Sequence, residues 1–287
     1  MLLLTVSPEQ FEIKYPINPW MREAHEVNHL RAVHQYLAFK QTLERFGTVF
    51  TIPVKTIDPT RSLPDIIYAA DAAVFLPGLP QPTAILSRMS RKHRVQESHH
   101  WEEFFETANI RLLHLPSSPG IFFEGSGEAI FTPDFKRCFC GYGIRTSKQG
   151  AMALNILMEN EYRRQDSVDS KPIFHFIKLI NPKYFHLDLC FRPLQHGYAL
   201  IRRNAISPHS VELIEAIYGR ENLIDVSENE PFACNGIVHD NYYICASGIS
   251  AKTIKRIEEI GCKVITTPLS EFEKSGGSLK CMVLPIH

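Results

Sequence analysis

The sequence predicts an α/β fold built from repeated helix-and-strand units, and three observations predict it. Helix signals precede short apolar strands several times along the chain. Each such strand is followed, after a loop, by a second strand-like run that carries a polar or reactive residue. The units recur about five times with a period of roughly 40–60 residues, a pattern that implies a pseudosymmetric ring.

Taken in order, the first unit has Leu30, Val33 and Leu37 on one helical face, a stop near Gly47 and a strand from Thr48. The second reads as helix from Trp101 to Thr107, then strand from Ile110 to Leu115. A less regular unit has the run Ile173 to Ile180 followed by Tyr184 to Asp188. Val211 to Tyr218 reads as helix, stops at Gly219 and precedes Asn222 to Val226. Ser250 caps a helix with Ile254, Ile257 and Ile260 along one side, Gly261 ends it, and a strand starts at Lys263. The second strand-like runs are Ile66–Asp71, Ile121–Glu124, Phe232–Asn235 and Lys280–Pro285. Arg163 to Lys171 is the one linker-like stretch, and at its length it fits a loop inside one domain, so residues 1–287 are read as a single domain.

Composition narrows the function classes. Apolar residues make up 44% and charged residues 22%, values of an ordinary globular chain rather than a disordered one. Thirty-one basic residues balance thirty-one acidic ones, which argues against a phosphate-backbone binder. The chain lacks an apolar run of membrane-spanning length. The opening Met1 to Pro8 lacks the basic region and apolar length of a signal peptide, so the expectation is a cytoplasmic protein. Seven cysteines without framework spacing fit a reducing compartment, most as small buried hydrophobes and one as a candidate reactive thiol.

Five segments stand out together: Pro16-Ile-Asn18-Pro-Trp-Met, Asp65 to Asp71, Phe123-Glu124-Gly-Ser-Gly-Glu128, Phe185-His186-Leu-Asp188-Leu-Cys-Phe, and Gly276-Gly-Ser-Leu-Lys-Cys281. With Gly141-Tyr-Gly-Ile-Arg145 and Phe232 to Asn235, they resemble, in order, the guanidino-group-modifying superfamily of pentein fold. Arginine deiminases, dimethylarginine dimethylaminohydrolases and amidinotransferases belong to it, and the arginine dihydrolase branch is the closest likeness. The resemblance covers about residues 15 to 285 and implies a five-fold pseudosymmetric α/β-propeller. It also implies a small-molecule guanidino substrate and neither metal nor organic cofactor. A homo-oligomer stays open.

The chemistry has its own logic. A guanidinium is a resonance-stabilised cation whose carbon is a poor electrophile, so hydrolysis needs a strong nucleophile, a carboxylate clamp and a proton carrier. Cys281, after Gly276-Gly277, is the candidate nucleophile. The resemblance makes His186 the general acid/base, Asp188 one guanidinium carboxylate and Glu124 the residue orienting His186. His186 and Asp188 are two apart and, read as strand, share a face. Asp71, in an apolar run, is a costly buried carboxylate unless it meets a cation, which suits the second guanidinium carboxylate. Asp65 is read as a strand-start cap or a partner for a substrate ammonium. By match to the family's basic stretch and GYG-x-R segment, the resemblance makes Arg94 and Arg145 the candidates for a substrate carboxylate, which a guanidinium fork suits, and Asn18 is carried over as a substrate contact. His25-Glu-Val-Asn-His29 matches a zinc-protease signature on an expected helix, but the resemblance places it outside the site, and a solvated helix face is the preferred reading.

One departure bears on the reaction. The dihydrolase branch carries Asn where this chain has Asp71, whereas deiminases and dimethylargininases use Asp. The favoured reading is one hydrolytic step to a ureido product such as citrulline. Dihydrolysis to ornithine, amidino transfer, and a non-enzymatic ribosome-binding module of the same fold are the alternatives.

Overall fold

The computed structural model describes residues 1–24, 26–52, 54 and 62–287. Fifteen strands in the described residues form five three-stranded sheets, each with the same internal plan. The first strand pairs antiparallel with the second, and the second pairs parallel with a third that follows a crossover helix. The first sheet joins both ends of the chain: β1 (Leu2–Val6) lies between β2 (Thr48–Ile52) and the late strand Leu284–Ile286, with Leu2 opposite Ile286. The short helix α1 (Pro19–Glu23) and the crossover α2 (His29–Glu44) lie between β1 and β2. The second sheet is β3 (Ala73–Phe75), β4 (Thr83–Leu86), crossover α3 (Val95–Thr107) and β5 (Arg111–Leu113). A one-turn helix α4 (Gly125–Glu128) leads into the third: β6 (Ala129–Phe131), β7 (Arg137–Tyr142), crossover α5 (Lys148–Arg164) and β8 (Ile173–Lys178). The fourth is β9 (Phe191–Pro193), β10 (Ala199–Ile201), crossover α6 (Pro208–Tyr218) and β11 (Leu223–Asp225). The fifth is β12 (Ile237–His239), β13 (Tyr242–Ala246), crossover α7 (Ala251–Glu259) and β14 (Lys263–Thr267). Then α8 (Ser270–Glu273) and β15 (Leu284–Ile286) complete the chain.

Local chemistry sets the crossover helices. The Ser147, Ser207 and Ser250 side chains each accept an N–H at a helix start, and Asn28 does the same for α2. Each crossover buries one stripe: Trp101 and Phe105 on α3, Leu154, Met158 and Tyr162 on α5, Ile214 on α6 and Ile257 on α7. No helix among the described residues is long and apolar enough to cross a membrane.

Three sequence expectations need correction. The runs read as second strands are mostly turns. Pro64–Ile67, Ala69–Asp71 and Leu187–Leu189 are 3-10 turns, and Phe232–Asn235 is a turn. The strands proper begin a few residues later. On α2, Leu30, Val33 and Leu37 are 69%, 38% and 50% exposed; Ala32, Tyr36, Phe39 and Leu43 form the buried face instead. Of the zinc-like motif, Glu26, Val27 and Asn28 precede α2, which starts at His29 with Asn28 as its cap; His25 lies outside the described residues.

Candidate active site

The turn that precedes the first strand of each sheet carries candidate site residues. Asp65 and Asp71 precede β3, Glu124 and Glu128 precede β6, His186 and Asp188 precede β9, Asn235 precedes β12, and Cys281 precedes β15. These turns are bonded one to the next. Ser126 Oγ donates to the Ala70 carbonyl (3.1 Å), the Leu187 N–H to Glu128 (3.2 Å), and Asn235 Nδ2 to the Asp188 carbonyl (3.4 Å). The Cys281 N–H donates to Asn235 Oδ1 (3.2 Å), and the Ala70 N–H to the Cys281 carbonyl (3.0 Å). Close approach needs small residues here. A Cβ on Gly127 would stand 3.1 Å from Asp71 Oδ1 and 3.3 Å from His186 Nδ1, and one on Gly277 would overlap the Tyr68 ring.

Cys281 is buried, with Sγ 3.6 Å from Asp188 Oδ2 and 3.2 Å from Asn235 Nδ2. Burial, then the Asp188 and Asp71 carboxylates, push this thiol well above its ordinary range. A cation lodged between those carboxylates reverses that bias. His186 is buried with Nε2 2.8 Å from Glu124 Oε2 and Nδ1 3.5 Å from Asp71 Oδ1. Burial pulls the imidazolium down, but Asp71 and the Glu124 hydrogen bond outweigh it and raise His186 to about 9. Glu124 also accepts from Arg145 (3.0 Å) and from the Ser90 N–H and hydroxyl (3.0 and 2.6 Å). Burial opposes its charge, yet Arg145 and His186 hold it well below the usual carboxylate range. The carboxyl of Asp188 is raised by burial, against the pull of Lys280, His186 and Arg192. His186 and Asp188 do reach one place, but from a 3-10 turn rather than from strand alternation.

Asn18, Asp65, Asp71, Arg94, Arg145, His186 and Cys281 line one narrow cavity of about 20 Å³, with Asp188 and Glu124 directly behind Cys281 and His186. That volume holds about one water, so the site is closed to a ligand of amino-acid size in this state. The arginines are not open forks. Arg94 donates to Asp71 (2.6 Å), to both oxygens of Glu97 (2.9 and 2.7 Å) and to the Asp65 carbonyl (3.2 Å). Arg145 donates to Glu124 and lies 4.7 Å over the Phe185 ring. Asn18 Oδ1 caps α1 by accepting from the Met21 N–H (3.0 Å), and its Nδ2 donates to the Ser275 carbonyl (2.9 Å). Asp65 is buried in a 3-10 turn, not at a strand start; its Oδ1 has no hydrogen-bond partner, and burial raises its carboxyl.

Sequence reasoning assigned no role to several residues that complete the site. Glu97 shares Arg94 with Asp71. Tyr68 hydrogen-bonds Ser275 and the Phe272 carbonyl. Buried Lys280 reaches Ser126 Oγ at 3.0 Å and is pushed down to about 8 by burial. Asn235 touches the nucleophile candidate itself. A lysine adjoining that cysteine inside an apolar run was the one visible signal.

Comparison with known proteins fits this geometry. The chain is 30% identical over 287 residues to the bifunctional arginine dihydrolase/ornithine cyclodeaminase ArgZ of Synechocystis sp., covering 99% of this chain and 37% of that protein. It therefore spans little more than a third of the length of this curated relative. It is 31% identical to an uncharacterised protein of Caenorhabditis elegans, covering 98% of this chain and 92% of the other. Among solved structures, a cysteine-to-serine mutant of the ArgZ N-terminal domain bound to substrate superposes with a TM-score of 0.86 at 28% identity. The match covers 99% of this chain and 97% of that one. A family model described as N,N dimethylarginine dimethylhydrolase, eukaryotic, matches residues 7–287, and the chain belongs to that family.

Proposed function

We propose that the chain hydrolyses a guanidino group through a covalent intermediate on Cys281, in one step that yields a ureido product and ammonia or an alkylamine. The observation that carries this reading is the convergence of a buried thiol, the Asp71 carboxylate and a Glu124-bound imidazolium on one cavity, with the Asp188 carboxylate directly behind the thiol. Asp71 and Asp188 clamp the guanidinium and fix its plane. The thiolate adds to the guanidinium carbon, forming the C–S bond. His186 protonates one nitrogen, the C–N bond breaks, and a cationic S-amidino adduct remains. Neutral His186 then takes a proton from water as its oxygen adds to that carbon. The C–S bond breaks, its electron pair returns to sulfur, and the ureido product leaves.

Asp71 decides between one step and two. Its charge pairs with a guanidinium but not with a neutral ureido group, so the charge-assisted contact, typically ~1.5–3 kcal/mol, is lost after the first amine departs. A second reading, dihydrolysis to ornithine, is favoured by the likeness to ArgZ. The same reading includes a substrate-driven exchange at Asp71, in which the ligand guanidinium displaces Arg94 and frees its fork for a carboxylate.

We further infer that residues 1–287 form one catalytic unit whose five sheets are blades of a closed ring, supported by the turn-to-turn bonds and by β15 on β1. Seven unpaired, buried cysteines support a reducing, cytoplasmic setting.

Product analysis tests the reaction. Arginine and methylated arginines are assayed for ammonia, alkylamine, ureido product and ornithine, alongside Cys281→Ser. One equivalent of amine with a ureido product, and a loss of at least ~10³ in turnover in the variant, are expected. Ornithine with two ammonia per arginine overturns the single step; near-normal turnover in Cys281→Ser overturns the nucleophile.

A further inference from the structure

Asn235 is completely buried and makes four hydrogen bonds around Cys281. Its Oδ1 accepts the backbone N–H groups of Lys280 (3.0 Å) and Cys281 (3.2 Å). Its Nδ2 donates to Cys281 Sγ (3.2 Å) and to the Asp188 carbonyl oxygen (3.4 Å). The orientation of the amide follows from its partners. Two backbone N–H groups can only donate, so the oxygen must face them, and the Asp188 carbonyl can only accept, so the NH₂ must face it and the sulfur. The Ser278 backbone N–H also faces the sulfur; Asn235 Nδ2 is a side-chain donor to it, and the two oxygens of Asp188 stand at 3.6 and 3.9 Å.

A thiolate here therefore faces one carboxylate, the Ser278 backbone N–H and one side-chain donor, Asn235 Nδ2. Hydrogen bonds to an ionised acceptor are the strong ones, and a buried anion without any donor is costly. We propose that Asn235 is the positioning residue of the nucleophile. Its Oδ1 fixes the turn that aims Cys281 at the gap between Asp71 and Asp188, and its Nδ2–H stabilises the sulfur anion. The proposal rests on Cys281 being the nucleophile. It has two consequences in the reaction: the bond strengthens when the thiol ionises, and it stabilises the sulfur anion again when the C–S bond breaks and the electron pair returns to sulfur. An aspartate at this position keeps the acceptor for the two backbone N–H groups but removes the donor and adds a third acid beside the sulfur.

The test is alkylation of the full chain by iodoacetamide as a function of pH, with the labelled cysteine identified by peptide mass spectrometry. In this reaction the thiolate carbon–sulfur bond forms as iodide leaves. Asn235→Asp and Asn235→Ala are compared with wild type, together with kcat and KM on the most active guanidine. The expected result is a folded Asn235→Asp whose Cys281 labelling midpoint rises by about one pH unit or more. Its kcat falls roughly 10–100-fold while KM changes by less than about threefold. Asn235→Ala shifts the midpoint in the same direction. The added acid raises the Asn235→Asp midpoint in either case, so Asn235→Ala decides: a folded Asn235→Ala with an unchanged Cys281 midpoint marks a purely structural anchor and overturns the proposal. Should neither variant fold, the wild-type Nδ2–H proton resonances decide: they must move when Cys281 ionises, and a static signal overturns the assignment. Turnover by wild type with Cys281 blocked refutes the nucleophile itself, which is a different outcome from any of these.

Discussion

His186 stands between Glu124 and Asp71, and its position has a measurable pH signature. Its value of about 9, against an ordinary 6.5, keeps the ring cationic at neutral pH. The raised value also links to folding. The stabilisation from the protonated ring is complete below pH 6.5 and is lost as pH rises through about 9. Glu124 has the opposite sign: its contribution is present above its ordinary 4.5 and is lost as pH falls through its depressed value. With substrate saturating, kcat is expected to fall as pH rises through about 9, because the leaving amine then lacks its proton donor. Glu124→Gln should move that limb toward lower pH; a kcat profile flat to pH 10.5 in wild type contradicts the assignment. The identities of these residues were legible because His186, Asp188, Glu124 and Cys281 sit in short segments whose order is informative. The engagement of Arg94 was not. No linear pattern ranks Asp71, Glu97 and the Asp65 carbonyl against a ligand as partners for one buried guanidinium.

At the level of elements, the segment around α1 roofs the cavity through few bonds. Asn18 caps α1 and ties it to the Ser275 carbonyl, Arg145 reaches the Ile17 carbonyl, and Trp20 Nε1 donates to the Lys183 carbonyl. A helix of five residues has little stability of its own, so these contacts hold the segment over the cavity. Asn18→Ala is expected to cost on the order of 1 kcal/mol in denaturant unfolding, as for a lost helix cap. It should raise KM several-fold while kcat changes less; an unchanged KM with intact folding shows that the roof does not gate binding. The crossover helices were readable in advance because capping serines, a glycine stop and a 3.6-residue stripe agree. The turns beside them were not. In a turn buried on all sides, such as Ile66–Ala70 or Leu187–Phe191, nearly every side chain is apolar, and such a run has the composition of a buried strand. The stripe of Leu30, Val33 and Leu37 misled for a related reason. The α2 face that packs is carried by Ala32, Tyr36, Phe39 and Leu43, whose alanine and tyrosine stand out less in a hydropathy pattern.

Across the whole molecule, five sheets of one plan each deliver a turn to one place, and the catalytic candidates come from four of them. No single unit holds a working set of residues. The pairing of β15 with β1 brings the two ends of the chain side by side, Leu2 against Ile286. A short glycine-serine bridge between Met1 and His287, with new ends opened in the exposed stretch Asp169–Lys171, keeps every strand pair described above. Such a circular permutant is expected to retain guanidine turnover within about tenfold and a comparable far-ultraviolet spectrum. An insoluble or inactive permutant, cut and joined at these positions, would mean that the order in which the units are synthesised matters as well as the arrangement they reach.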